Sequence, residues 1–62
     1  MTRAQFMSEL RERLDRLPSD EREEALAYYE EYFDEAGVDH EQDVIRELGS
    51  PASVASRIYA DR

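Results

Sequence analysis

The stretch ALAYYEEYFDEA, residues 25–36, decides the fold, because it gathers three of the chain's four tyrosines and one of its two phenylalanines on one helix. At 100° per residue, its apolar side chains cover an arc of about 160° and its acids lie opposite. A single packed neighbour needs only a narrow stripe. We therefore expect several helices to wrap this segment as the hub of the molecule, with Leu26, Tyr29 and Phe33 in the core.

Composition narrows the class of protein. The chain has 62 residues and no cysteine, and its 16 acidic and 8 basic residues give a net charge of −8. This length makes one small domain, which helix packing has to stabilise without disulfides or thiolate metal sites. The net charge repels phosphate backbones and anionic membranes. No segment is apolar enough for a signal peptide or a membrane span.

Helix start and stop signals predict an all-α domain with four helices, at about residues 3–16, 20–36, 40–48 and 51–60. Thr2 and Gln5 have capping-box spacing at the start of the first helix. Leu17 and Pro18 end it, since proline cannot continue a helix and disfavours helical geometry in the residue before it. Ser19 is placed to cap the second helix. We expect two helical hairpins, the second closing over the aromatic-rich helix.

The third helix has signals of its own. Gly37 is expected to end the second helix in left-handed geometry, with Val38 folding back onto the core. Asp39 and Gln42 then repeat the capping-box spacing. The third helix should therefore begin close to residue 40.

The turn LGSP, residues 48–51, joins the last two helices without a spare loop. Leucine closes the apolar stripe, glycine supplies the C-cap, serine the N-cap and proline a pre-set first helical residue. These four residues are Leu48, Gly49, Ser50 and Pro51. The last helix ends at Asp61 and Arg62 without a stop signal, so we expect the domain, residues 1–62, to continue into a longer protein.

Most of the excess charge lies on the second helix, where residues 20–36 carry eight acids and one arginine. That arginine, Arg22, has the wrong sign for a helix N-terminus and projects at the edge of the apolar arc, which indicates a stacked or bidentate structural role. The acids form an open convex face with no turn to fold oxygens around an ion, so we predict no metal ion and no cofactor. Exposed carboxylates also lack the desolvated pocket that catalysis needs, and we predict no enzymatic activity.

The order and spacing of these signals resemble the HAAS domain family, small helical modules of bacterial proteins, over residues 1–58. The residues that carry the resemblance are FMSELRERL (6–14), Leu17 and Pro18, Glu21 and Arg22, YEEYF (29–33), Gly37, LGSP (48–51) and Ala55. Two positions depart from the expected pattern: Tyr28 stands where an acid is expected, and VDH (38–40) where a lysine and a serine are expected. These departures concern the choice of partner more than the fold.

The resemblance implies a cytoplasmic, N-terminal module, commonly followed by transmembrane helices and often encoded beside PadR-type transcription regulators. It also implies a role in signalling by protein contact. A PadR-type regulator is therefore the partner that the resemblance suggests. Neither the partner nor the location follows from composition or spacing.

The residues themselves support a contact surface on the second helix. Tyr28 and Tyr32 lie at one margin of the apolar arc and are expected to stay partly exposed. With Glu31 between them they form an amphipathic surface for a basic protein partner. The alternative is that these rings only complete the core of a small domain.

A different function would be DNA binding. Residues 43–58 are similar to a helix-turn-helix unit, with Ser53, Ser56 and Arg57 on the helix that would enter the groove. Only Arg57 and Arg62 are available there to neutralise phosphates, which is too few for a stable complex. We therefore predict no nucleic-acid partner.

Overall fold

A computed structural model describes residues 1–61. Within that range the chain forms four α-helices and no strand, which confirms the predicted all-α fold. The helices are α1 (Arg3–Arg13), α2 (Ser19–Ala36), α3 (Glu41–Leu48) and α4 (Pro51–Ala60). A 3₁₀ turn, Val38–His40, connects α2 to α3.

The first helix begins as predicted and ends early. The amide of Gln5 donates to Thr2 Oγ1 at 3.1 Å and the amide of Thr2 donates to Gln5 Oε1 at 2.8 Å, so the capping box is present. The helix stops at Arg13 instead of residue 16, and a tight turn follows. In this turn the amide of Leu17 donates to Leu14 O at 3.1 Å, which lets both leucines enter the core.

Two predicted caps are wrong. Pro18, with φ −54° and ψ 148°, is itself the N-cap of α2 and has no side-chain cap hydrogen bond. Its extended geometry starts the helix at once, so Ser19 is the first helical residue and not the cap. Before α3, Asp39 lies in the 3₁₀ turn, and the side chain of Gln42 donates to Met1 O at 2.7 Å. The long-range bond from Gln42 replaces the expected second capping box.

The end of α2 also differs from the expected left-handed cap. Gly37 has φ 93° and ψ 159°, whereas a left-handed helical residue has ψ near +47°, about a third of a turn away. A positive φ of this kind is open to glycine because it has no Cβ. The chain therefore turns outward, and Val38 is 82 % exposed instead of folding onto the core.

α1 and α3 each pack against all three other helices, and the aromatic-rich α2 does not. α2 packs on α1 and α3, and α4 packs on α1 and α3. The prediction that α2 is the central hub is therefore not confirmed. The apolar faces of the two helices are buried to different extents. Phe6 and Leu10 of α1 and Leu14 just after it are fully buried, whereas Tyr28 of α2 is exposed.

The centre of the core is a pair of phenylalanines from α1 and α2. The rings of Phe6 and Phe33 are fully buried and meet edge to face, with centroids 5.8 Å apart. Such pairs contribute about 0.5–1.5 kcal/mol beyond the burial of their area. The other buried core residues are Leu10, Leu14, Leu17, Leu26, Val44, Val54 and Ala55.

Arg3 connects α1, α2 and α3 next to the Phe6–Phe33 pair. Its guanidinium lies 5.2 Å from the centroid of Phe33 and donates to Glu30, to Asp34 and to Glu41 at the start of α3. These three carboxylates raise the pKa of Arg3, so its charge is permanent. Because Arg3 at the start of α1 meets the last turns of α2, these two helices are antiparallel.

Candidate interaction surface

The predicted contact residues lie together on the outer side of α2. Tyr28 is 62 % exposed, and its ring meets that of Tyr29 edge to face at 5.0 Å. Tyr32, one turn later, is half-buried and packs against the core, while Glu31 is exposed. We call Tyr28, Glu31 and Tyr32 the tyrosine ridge.

The three tyrosines of α2 have different roles. Tyr29 is half-buried, and burial raises the pKa of its hydroxyl. The hydroxyl of Tyr32 donates to Glu47 Oε1 at 3.0 Å, and this hydrogen bond to a carboxylate raises the pKa of Tyr32. Tyr32 therefore joins the ridge to α3, whereas Tyr28 presents most of its surface to solvent.

Two open grooves border the ridge. The α2–α3 groove has a volume of about 540 Å³ and includes Tyr32, Glu35, Asp43 and Glu47 in its lining. The α2–α4 groove has a volume of about 250 Å³. It is lined by three aliphatic side chains, one tyrosine and two carboxylates, namely Leu17, Ala25, Ile58, Tyr28, Glu21 and Glu24.

The electrostatics of the ridge are acidic. In the α2–α3 groove, His40 Nδ1 lies 3.1 Å from Asp43 Oδ2 and Arg46 donates to Asp43 Oδ1 at 3.1 Å. Both contacts lower the pKa of Asp43 below its usual range, and the hydrogen bond with His40 is the larger cause. Glu35 and Glu47 add two further carboxylates to the same groove. A partner surface that covers the ridge must therefore carry positive charge, because desolvating these acids without a counter-charge would cost binding free energy.

Arg22 does not make the stacked or bidentate contact expected of it. Its Nε lies 3.6 Å from Glu23 Oε2, and this buried nitrogen has no hydrogen-bond partner within residues 1–61. The reason is competition, because Arg11 donates twice to the same carboxylate of Glu23. Arg11, and to a lesser degree Arg22, hold the pKa of Glu23 below its usual range.

The remaining motif residues shape the two corners of the fold. Leu17 is buried and Pro18 starts α2. At the other corner Gly49 has φ 87°, and Ser50 Oγ accepts a hydrogen bond from the amide of Ser53 at 3.1 Å. Pro51 is the buried first residue of α4, and Leu48 is half-buried against the core.

The helix-turn-helix alternative is not favoured. Arg57 donates through Nη2 to Leu48 O at 2.9 Å, so this base on α4 is bound to the protein's own backbone. Arg62, the other base proposed for the reading helix, lies outside the described residues. α3 contributes acids next to the same corner, at Asp43 and Glu47. A phosphate backbone would meet net repulsion here.

Sequence reasoning missed two features of this surface. The groove between α2 and α4 depends on where Ile58 lies relative to Tyr28, which is set by tertiary packing. The bond from Tyr32 to Glu47 joins residues that are 15 positions apart. No local spacing rule predicts either.

Among residues 1–61, no helix is both long and apolar enough to cross a membrane.

Together the fold and the surface define a class: a small all-α domain with an exposed aromatic edge between acidic grooves. The model of the HAAS family matches residues 5–57, and the chain belongs to the HAAS family. This confirms the resemblance inferred from the sequence. HAAS domains are small, helical and non-catalytic, and membership indicates a signalling or regulator-associated module. Searches of curated proteins and of solved structures returned no match.

Proposed function

We propose that this chain is a protein–protein interaction module, and that the tyrosine ridge is its contact surface. The observation that carries the proposal is the 62 % exposure of Tyr28. Tyrosine is enriched in protein interfaces because its rigid ring buries a large area and its hydroxyl tolerates water. The alternative, in which the rings only complete the core, accounts for Tyr29 and for part of Tyr32. It does not account for Tyr28.

The partner that suits this surface is basic. Acids surround the ridge, and the whole chain has a net charge of −8. The HAAS family suggests a PadR-type transcription regulator as that partner, and a place for this module at the cytoplasmic face of a membrane, as the N-terminal part of a longer protein with transmembrane helices. In this arrangement the module would hold or release the regulator by direct contact.

Binding to the PadR-type regulator encoded beside the gene tests the proposal. Isothermal titration calorimetry would compare the wild-type chain with Tyr28→Ser and with Tyr28→Ser/Tyr32→Ser. Loss of aromatic anchors at an interface weakens binding by about 30-fold or more, which corresponds to roughly 2 kcal/mol. Tyr28→Phe keeps the ring and should keep most of the affinity.

A matched control removes an exposed apolar side chain elsewhere. Val38→Ser does so at a residue that is 82 % exposed. It should bind like the wild type, and circular dichroism should show all variants folded. Unchanged affinity in both serine variants would overturn the assignment of the ridge. If no regulator gene adjoins and no PadR-type protein binds, the choice of partner fails.

A further inference from the structure

We infer that the α2–α4 groove, at the Tyr28 end of the ridge, is an anchoring site for one arginine side chain of the partner. This inference rests on the proposed function, because it names the chemical group that the interaction surface receives. The groove holds about 250 Å³, which is less than the roughly 300–1,000 Å³ of pockets for small molecules. It therefore suits one long side chain.

The lining of the groove matches the two halves of an arginine. Leu17, Ala25 and Ile58 supply aliphatic surface for the methylene stem. The ring of Tyr28 and the carboxylate of Glu24 supply partners for the guanidinium. Arginine buries its stem along apolar surface while its planar head stacks on aromatic rings and pairs with carboxylates.

The protein already stacks two of its own arginines on aromatic rings. Arg3 lies over Phe33 between carboxylates, as described above. Arg16 lies 4.4 Å from the centroid of Tyr59. Like the site of Arg3, the α2–α4 groove combines a ring with a carboxylate, and its lining within residues 1–61 contains no basic residue.

Of the two carboxylates that line the groove, Glu24 is the one whose charge is unpaired within residues 1–61, and we assign the partner's arginine to it. Glu23 pairs with Arg11, and Glu30 and Asp34 pair with Arg3. The side chain of Glu24 has no hydrogen bond or ion pair with another residue in 1–61. Its charge is therefore available beside the exposed ring of Tyr28.

Two small probes test the site directly. N-acetyl-arginine amide and N-acetyl-citrulline amide differ in the charge of the head group. Each would be titrated into the ¹⁵N-labelled chain at low salt while amide chemical shifts are recorded. Arginine should give saturable shifts centred on Ala25, Tyr28 and Ile58, with a Kd of about 1 mM, which is expected for one side chain. Citrulline should give none at the same concentrations.

Variants then identify the carboxylate. Glu24→Gln should weaken arginine binding at least about 5-fold, since it removes one charge-assisted contact. Glu12→Gln removes the same charge from the exposed face of α1 and should leave binding unchanged. Equal losses in the two variants, equal shifts from citrulline, or shifts spread over the whole acidic surface would each overturn the inference.

The same variants separate this inference from the proposed function. If Tyr28→Ser/Tyr32→Ser abolishes regulator binding but Glu24→Gln does not weaken it, the ridge is a contact surface and the arginine site is wrong. If the arginine probe binds as expected but neither set of variants affects the regulator, the groove is a cation site and the proposed function fails.

Discussion

The hydroxyl of Tyr32 is the point where the tyrosine ridge meets α3. It donates to Glu47 Oε1 at 3.0 Å, and the negative charge of Glu47 opposes the formation of a phenolate. A hydrogen bond of this kind favours the protonated form of the tyrosine in the folded state only. The local contact therefore has a consequence for stability that can be measured as a function of pH.

Replacing Glu47 by glutamine should lower the pKa of Tyr32 towards its usual range, because the amide accepts the same bond without the charge. The pKa of Tyr32 is raised in the folded state, so the stabilisation is complete below the unfolded value, about 10, and is lost as pH rises through the folded value. The ¹³Cζ shift of Tyr32 and urea unfolding between pH 9 and 11.5 measure both effects. Glu31→Gln is the control, and an equal change there would contradict this account.

At the residue scale, the sequence predicts burial better than it predicts partners. Leu26 and Phe33 are buried and Tyr28 is exposed, as expected from the sequence. Arg22 Nε has no hydrogen-bond partner within residues 1–61, and the nearby carboxylate of Glu23 accepts from Arg11 on another helix. Val38 points outward because Gly37 adopts an extended ψ. Competition between distant side chains and the second backbone angle of a glycine are not encoded in periodicity.

At the scale of helices, two serines that look alike in the sequence have different roles. Ser50 Oγ accepts a bond from the amide of Ser53 and caps α4. Ser19 follows Pro18, which already occupies the cap position of α2. Both serines stand before or at a helix start next to a proline, but the order of the two residues is reversed. With proline first, the serine falls inside the helix.

Alanine at these two positions should therefore have unequal effects. Ser50→Ala removes an N-cap bond and should lower the free energy of unfolding by about 1 kcal/mol. Ser19→Ala removes no cap and should change it little. Urea unfolding followed by circular dichroism measures both variants. Equal destabilisation would show that Ser19 caps α2 in solution.

The start of a helix follows from local spacing, whereas the packing of helices on one another does not. The capping box at Thr2 and the cap at Ser50 are local and were predictable from spacing. The identity of the central helix was not. The wide apolar arc on α2 shows how much surface can be buried. It does not determine which helices pack on that surface. α1, with a narrower stripe, packs on all three other helices, as α3 does, whereas Tyr28 at the margin of the α2 arc stays exposed.

At the scale of the whole molecule, charge acts in opposite directions on folding and on binding. The molecule measures 32 × 19 × 19 Å, and the Debye length is about 30 Å at 0.01 M salt but about 10 Å at 0.1 M. At low salt, each charge therefore acts across most of the domain. Attraction to a basic partner weakens as salt is added. Repulsion among the protein's own excess acids weakens too, which favours the folded state.

We therefore expect NaCl to stabilise the isolated domain. There are 16 acidic residues and 8 arginines, so at least half of the acids have no base of their own. Raising NaCl from 0.01 to 0.5 M should increase the free energy of unfolding in urea by about 1 kcal/mol, the size of one like-charge pair at 4 Å in water. Glu31→Gln/Glu35→Gln removes two of the excess charges and should flatten this dependence. A loss of stability with salt would mean that ion pairs such as those of Arg3 outweigh the general repulsion.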